Sequence, residues 1–442
     1  MFDPANESSF RLDVAGLSNA FEVLSFAGRE SISEPFVFDV DLLIEDSTLD
    51  LAGLLYRSAS LLFGSEGNVI HGQLHELVQR EHGLGVRLCQ VRLGPKLACL
   101  ARRYSQRIFS GRSVPQILDQ VLGEHGIVDQ DRRLELAGDY PPRDFCTQYR
   151  ESDLQFLQRL CAQERLHYYF EHRADGHCVV FGEGPGNFQV AEAAVFRAVG
   201  GQPAVRRFEV MRCTDGAARR VECSSDLTTL RSGQLMPLSG HPVPEWNQPW
   251  LLTHIEHQGE QAASQTYSNT VRAEQWELPL ETPQVALKPR MHSLQRAWVV
   301  DVDEPQPDPS RPVAVQFDWV YQGEGAASSH CWLPLAAPLN VAASPRLAEG
   351  TEVVVSFTEG DPDRPLITGF LHGPASVEVD EVHDPATPVL EDCPLDGVPQ
   401  WLCSGEPLML LCLLPGGGSF NHCAQALCIC RTAPRLGQSG AA

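Results

Sequence analysis

Residues 345–374 read PRLAEGTEVVVSFTEGDPDRPLITGFLHGP. Val353, Val355 and Phe357 alternate with Glu352, Val354 and Ser356, which is the two-residue period of a strand over Thr351–Thr358. Leu366–Leu371 supplies its partner. The connecting Glu359–Pro365 is turn chemistry: Gly360 can take φ > 0, Pro362 and Pro365 fix φ, and Asp361 and Asp363 can hydrogen-bond the backbone locally. The expectation is a β-hairpin.

The composition bounds what such a chain can be. Its 442 residues suffice for two to four domains, each with its own core. A net charge of −23 argues against nucleic acid as a partner, since that needs a basic face, and suits solubility. Met1–Phe10 has neither a basic nor an apolar signal-peptide region, and the apolar run Pro407–Pro415 is too short to span a bilayer as a helix. The expected place of synthesis is the cytoplasm, with any export by a route that needs no cleaved signal. Of 14 cysteines, Cys89, Cys99, Cys146, Cys161, Cys178, Cys213, Cys223 and Cys331 lie singly among apolar residues, and six crowd into Cys393–Cys430. No C-x-x-C pair occurs, so neither a zinc ribbon nor a thioredoxin-like motif is supported, and reduced thiols are expected.

Strand-sized alternation recurs upstream. FRLDV, FEVLSFAGRE and PFVFDVDLLI fill Phe10–Ile44, Leu51–Tyr56 reads as a short helix, and Ser60–Gly64, Val69–Gln79 and Val86–Leu93 continue as strands. Ser113-Val-Pro-Gln116 is a capping box opening a helix whose Ile117, Leu118, Val121 and Leu122 form an apolar stripe, ended by Gly123 or Gly126. Ser152-Asp-Leu-Gln155 is a second box, for a helix with Leu154, Leu157 and Cys161 on one face and Phe156 and Leu160 beside it. Leu166–Glu171, Phe208–Met211, Val221–Ser224 and Leu251–Glu256 are further strands, and Pro279–Arg290 reads as a stiff linker.

The wording of these stretches is specific. EVVVSFTEGDPDRPLITG closely resembles the barrel segment of VgrG proteins, the tip of the bacterial type VI secretion system, which are similar to the hub and cell-puncturing spike proteins of contractile phage tails. Val313–Trp319, Ser328–Leu333 and Pro345-Arg346 keep that family's order, and Gln148–Leu160 followed by His167–His172 is again VgrG-like. Ser232–His241 with Leu251–His257 resembles the second barrel of the hub region. One departure stands out: relatives place Gly after the glutamate that ends the second helix, whereas Arg165 follows Glu164 here. A left-handed cap at Arg165 would cost about 1 kcal/mol relative to Gly, so the helix is expected to end by another route.

The resemblance implies a mainly β chain with a few helices. An α+β hub region with two tube-like β-barrels and helical insertions would occupy 1–280, a linker 281–296 and an OB-type β-barrel 297–374. It implies a structural tip protein and no enzyme: a homotrimer capping a tube of Hcp-like hexamers and carrying a PAAR-type tip protein, effectors and adaptors. It would be secreted by the type VI machinery, meeting a membrane only as a target to be pierced. The residues 375–442 form an irregular Cys/Pro-rich tail without the short glycine-bearing repeats that build a β-helix spike in relatives, read as a truncated or frame-shifted spike start. The alternatives are an effector-bearing variant with an enzymatic or metal-binding tail, in which Cys423, Cys428 and Cys430 would hold the ion, and a phage baseplate hub.

Residues that suggest chemistry each have a plainer reading. Gly182-Glu-Gly-Pro-Gly186 follows the apolar strand Val179–Phe181 as a phosphate loop would, but Pro185, Asn187 and Phe188 offer no helix to aim amides at a phosphate, so a turn is expected. His71 and His75, and His254 and His257, have helix-like ligand spacing but lie in strand-patterned sequence, where i and i+3 point to opposite faces. Glu359, Asp361 and Asp363 have the chemistry of an acid–base pair or a divalent-ion site, and read better as turn residues. Gly64-Ser-Glu-Gly67 lacks the spacing of a nucleophile elbow. No catalytic, cofactor-binding or metal-binding residue is assigned, and no cofactor.

Overall fold

Short alternating runs dominate the chain, and in the computed structural model they pair into sheets. It describes residues 10–45, 48–64, 68–82, 87–173, 175–184, 186, 188–212, 219–261, 266–276, 287–318, 330–336 and 347–372. Trp319, Ser328-Ser329, Pro345-Arg346, Cys213, most of the linker and the whole tail 375–442 lie outside the described residues. The chain divides into two units. One runs to Tyr104 and resumes over Ser113–Pro141 and Ser152–Leu287; the other takes Ser105–Arg112, Pro142–Glu151 and everything from Lys288.

The first unit begins with β1 (Phe10–Val14), β2 (Phe21–Ser31), β3 (Glu34–Ile44), β4 (Ser58–Phe63), β5 (Val69–His82) and β6 (Arg87–Gly94). Their order is β1-β4-β5-β6-β3-β2, and β2 returns to β1 through Arg11–Glu22 and Leu12–Phe21. The barrel therefore closes, which removes its sheet edges. Period-two patterning fills it: Phe36, Phe38, Val40, Leu42 and Ile44 of β3 are all buried. Each such side chain contributes about 1.5–3 kcal/mol by leaving water. In place of the helix expected over Leu51–Tyr56 there is one turn of 3-10 helix, Ala52–Leu54.

The middle of the chain holds β7 (Tyr104–Phe109), α1 (Val114–Glu124), β8 (Arg132–Glu135), β9 (Cys146–Ser152), α2 (Asp153–Gln163), β10 (Leu166–Arg173) and β11 (Gly176–Glu183). Both capping boxes form. The Ser113 amide donates to Gln116 Oε1 at 2.9 Å, and Ser152 Oγ accepts from the Gln155 amide at 3.2 Å. Gly126, at φ +68, ends α1, with the Ile127 amide on the Leu122 carbonyl and the Gly126 amide on that of Gly123, a Schellman arrangement. α2 buries Phe156, Leu157, Leu160 and Cys161, while Leu154 is only half-buried. The expected alternative ending of α2 is overturned: Arg165 takes φ +57. The next residue, Leu166, already pairs with Glu183 in the β10–β11 hairpin, so the chain must reverse within one residue and Arg165 adopts the strained conformation.

The rest of this unit comprises β12 (Gln189–Val190), β13 (Ala194–Val195), β14 (Val205–Arg212), β15 (Arg219–Ser225), β16 (Gln234–Ser239), β17 (Pro249–Glu260) and β18 (Tyr267–Gln275). They line up as β16-β17-β18-β15-β14, with β12 and β13 parallel to β16 and a bridge from Phe196 to Val205. This is a half-barrel. It joins the closed barrel through a long ladder between β17 and β2, from His254–Ser31 to Glu260–Ser25. At that seam Gly28 and Gly259 admit the rings of Phe38 and Phe26, since a Cβ on either glycine would lie 2.2 Å from a ring carbon.

In the second unit β19 (Gln295–Val299), β20 (Val313–Phe317), β21 (Cys331–Leu333), β22 (Glu352–Phe357) and β23 (Pro365–His372) form a sheet ordered β21-β20-β19-β22-β23. Ile367 ties the two outer strands: its amide donates to the Pro334 carbonyl at 3.0 Å and its carbonyl accepts from Ala336 at 2.9 Å. The expected hairpin is present as β22–β23, with Val353, Val355 and Phe357 in the core beside Val315, Phe317 and Leu333. Phe145 and Tyr149, from nearly 150 residues upstream of β19, join the same core.

Candidate functional site

The turn between β22 and β23 concentrates the acidic residues that sequence singled out. Gly360 takes φ +72 as its position requires, and Glu359 precedes it at φ +58, strain that sequence reading missed. Asp363 Oδ1 accepts the Thr147 amide at 2.6 Å, and the Thr147 hydroxyl donates to the Pro362 carbonyl at 2.8 Å. Lys288 Nζ lies 2.6 Å from Asp363 Oδ2 and also pairs with Asp361, whose carboxylate accepts the Asp363 amide at 2.9 Å. Burial pulls the Asp361 pKa upward, but Lys288, the Asp363 amide and Arg364 outweigh it, and the carboxyl sits below its usual range. Lys288 thus stands where a metal ion or proton would have to sit. The arrangement is a clamp between three chain segments, and its chemistry is that of a fixed turn.

Beside this clamp is an open concavity of roughly 540 Å³. Arg143, Arg311, Arg364, Phe145 and Trp332 are among the side chains that line it.

In the first unit the histidines are placed one by one. His71 Nδ1 meets Ser60 Oγ at 2.8 Å, and the His71 amide donates to His172 Nδ1 at 3.0 Å. His75 bonds the Pro95 carbonyl at 3.0 Å. His254 is half-exposed between Ser31 Oγ and Glu256, while His257 is fully buried. The opposite facing expected of i and i+3 on a strand is what β17 shows. Among the described residues no group of three or more His, Cys, Asp or Glu side chains could hold a metal ion.

Sequence reading missed the partners of His257. Its Nδ1 meets the Tyr267 hydroxyl at 2.7 Å, and that oxygen accepts from Asn269 Nδ2 at 3.1 Å. On the other side His257 Nε2 lies 3.1 Å from Glu30 Oε1, off the hydrogen-bond direction, and Arg231 Nε lies 3.8 Å from the same oxygen. Burial pulls the Glu30 pKa up, yet His257, Arg231 and the Ser232 amide bring it below its ordinary value. For His257 burial dominates and lowers the pKa despite Glu30. The signal was available: Glu30 falls in phase with the inward Val23, Phe26 and Gly28 after the bulge in β2.

Gly182–Gly186 ends β11 in a turn, with Gly184 at φ +66; Pro185 and Asn187 lie outside the described residues. No helix opens there, and the next element is β12. Glu183 accepts the amide of Gly138 at 2.7 Å, that of Ala137 at 2.5 Å, and the Tyr140 hydroxyl, so this loop supplies a carboxylate to the 137–140 segment of its own chain.

The family model of the phage tail baseplate hub matches residues 29–214, which cover most of the closed barrel and the helical insertion. The spike protein VgrG4b of the type VI secretion system of Pseudomonas aeruginosa is 33% identical over 84% of this chain and 57% of its own length. The VgrG5 spike protein of the same organism is 34% identical over 84% of this chain and 58% of its own.

The chain is a VgrG homologue.

It spans less than two thirds of the length of those two relatives. The actin cross-linking toxin VgrG1 of Vibrio cholerae is 28% identical over 82% of this chain and 41% of its own length. Among solved structures, an Escherichia coli component of the type VI secretion system, itself described as similar to the phage T4 tail proteins gp27 and gp5, superposes with a TM-score of 0.69. It covers 81% of this chain and 99% of its own at 23% identity, and so shows the mainly β fold of this VgrG homologue.

Proposed function

We propose that this chain is a structural tip component of a type VI secretion system, without catalysis of its own. The observation that carries the reading is the homology to spike proteins over 84% of the chain, on a closed barrel joined edge to edge with a half-barrel. Three copies would supply six barrel-like elements to the end of a tube of Hcp-like hexamers, and the PAAR-type tip protein, effectors and adaptors would ride on the other side. The mechanism is mechanical: contraction of a sheath drives the assembly through a target membrane. Closed sheets suit a load-bearing part, because they leave no strand edge to pair wrongly, and a cyclic assembly needs only one heterologous interface. The second unit reads as an OB-type barrel over 297–374; its strand order, with Ile367 joining the outer strands, supports that assignment. Before firing the protein would be cytoplasmic, and it would leave by the type VI route.

Light scattering on the purified full-length chain tests the assembly, and sedimentation with Hcp-like tubes tests the docking. A mass of three chains with tube binding is expected; a monomer that ignores the tube would overturn the reading. The match to the baseplate-hub family over residues 29–214 favours a phage baseplate hub as the second reading. Gene neighbourhood separates the two: sheath and ATPase genes for the first, capsid genes for the second.

A further inference from the structure

We propose that the concavity beside the β22–β23 turn is a docking site for an extended, acidic peptide segment of a partner protein. Its lining combines three guanidinium groups, from Arg143, Arg311 and Arg364, with the apolar surfaces of Phe145, Trp332 and Pro334. On a chain of net charge −23 that is a local reversal of sign. Two carboxylates also border the hollow, and both are already engaged: Asp144 pairs with Arg311, and Asp363 holds Lys288 and the Thr147 amide. Arg364 is exposed, and its charge acts on Asp361 without a side-chain ion pair or hydrogen bond among the described residues. The cationic surplus therefore faces outward, at the position where a carboxylate from outside can take it.

The walls are set before any ligand arrives. The Thr147–Asp363 and Thr147–Pro362 bonds lock the segment carrying Arg143 and Phe145 to the turn carrying Arg364. Glu359 and Gly360 hold left-handed conformations that fix how the turn projects. Pre-organisation of this kind lowers the ordering penalty of binding. A volume of roughly 540 Å³ lies within the range of ligand sites, but the hollow is open rather than enclosed, which suits a strip of peptide better than a small molecule. A guanidinium fork recognises carboxylates bidentately, and the partly exposed Trp332 and Pro334 offer apolar surface beside it. In an extended segment alternate side chains share a face, so acidic residues at every second position can all turn toward the guanidinium groups.

The test is fluorescence anisotropy on the full-length chain with a labelled hexapeptide of alternating Glu and Leu, against the same peptide with Gln for Glu. The acidic peptide is expected to bind saturably, and Arg364→Glu to weaken it by about tenfold or more, as will the Gln peptide. Trp332→Ala is expected to weaken both peptides in parallel. Arg364 is exposed, so an unchanged melting temperature separates lost binding from lost folding. No saturable binding up to millimolar peptide overturns the proposal, and so does equal binding by Arg364→Glu or by the Gln peptide.

Discussion

The carboxylate of Glu30 and the imidazole of His257 face each other at 3.1 Å on the seam between β2 and β17, with the His257 side chain wholly out of water. The seam is the one ladder joining the closed barrel to the half-barrel among the described residues, and this pair with Arg231 is its polar centre. Removing one partner from a buried charged group leaves the others uncompensated, which typically costs 3–5 kcal/mol. Glu30→Ala is expected to destabilise the first unit by about that amount, because the Arg231 charge loses its carboxylate and keeps only the Thr228 and Leu230 carbonyls. Urea denaturation followed by tryptophan fluorescence, with Trp250 buried in the half-barrel, measures it. A loss below about 1 kcal/mol would mean that the charge is not held by this pair.

Acid is expected to unfold the first unit through its histidines. Burial pushes His167 and His177 down to about 4, and it lowers His71, His75, His172 and His257 as well. A histidine with its folded pKa below the unfolded value of about 6.5 binds its proton more readily when unfolded. Its contribution is therefore whole above pH 6.5 and is lost as pH falls toward 4. Glu30 works in the same direction, since its lowered pKa gives stability that disappears at still lower pH. The melting temperature is predicted to hold between pH 8 and 7 and to drop steeply between about 6.5 and 4. His167 stacks on Phe188 at 4.7 Å, and its Nε2 has no hydrogen-bond partner among the described residues. His167→Phe should then flatten the drop without lowering stability at pH 7.5, and an unchanged slope would count against the account.

What could be read in advance was local. The alternation of β3, the two capping boxes and the glycine turn of β22–β23 each depend on residues within a few positions, and each formed. Closure of the barrel depends on β1 pairing with both β2 and β4, and the seam pairs Ser31 with His254, more than two hundred residues away. Period-two patterning says which face of a strand is buried and nothing about its neighbours. The same limit hid the capture of Pro142–Glu151 by the second unit, because the clamp is made by a threonine amide and an aspartate far apart in sequence. Glu30 was legible in principle, as a charge in core phase; Arg231, which answers it, was not.

Arg165 offers a gain in stability. It takes φ +57 at the end of α2, where its amide donates to the Ala162 carbonyl at 3.2 Å. A left-handed non-glycine residue is strained by about 1–2 kcal/mol, while glycine adds unfolded-state entropy of about 0.4–1 kcal/mol. Arg165→Gly is thus expected to raise stability by up to about 1 kcal/mol. Chemical denaturation of the two proteins side by side decides it, and a destabilised glycine variant would show that the Arg165 side chain contributes more than its backbone loses.

The clamp on the β22–β23 turn predicts an order between two substitutions. Thr147 is fully buried, so Asp363→Ala strands its amide as well as freeing Lys288. An unsatisfied buried donor costs about 1–3 kcal/mol. Lys288→Ala leaves the Thr147 amide bonded and removes only two partly exposed ion pairs, an effect expected at about 1 kcal/mol or less. Hydrogen exchange read by mass spectrometry localises both effects. Asp363→Ala should release protection in the peptide covering Cys146–Ser152, and Lys288→Ala should leave it nearly unchanged. If the lysine variant loosened that peptide as much as the aspartate variant, the turn would be held by charge alone and the Thr147 amide would be incidental. If only the aspartate variant does, the Thr147 amide bond carries the larger share of the junction, beside the bond from the Thr147 hydroxyl to the Pro362 carbonyl.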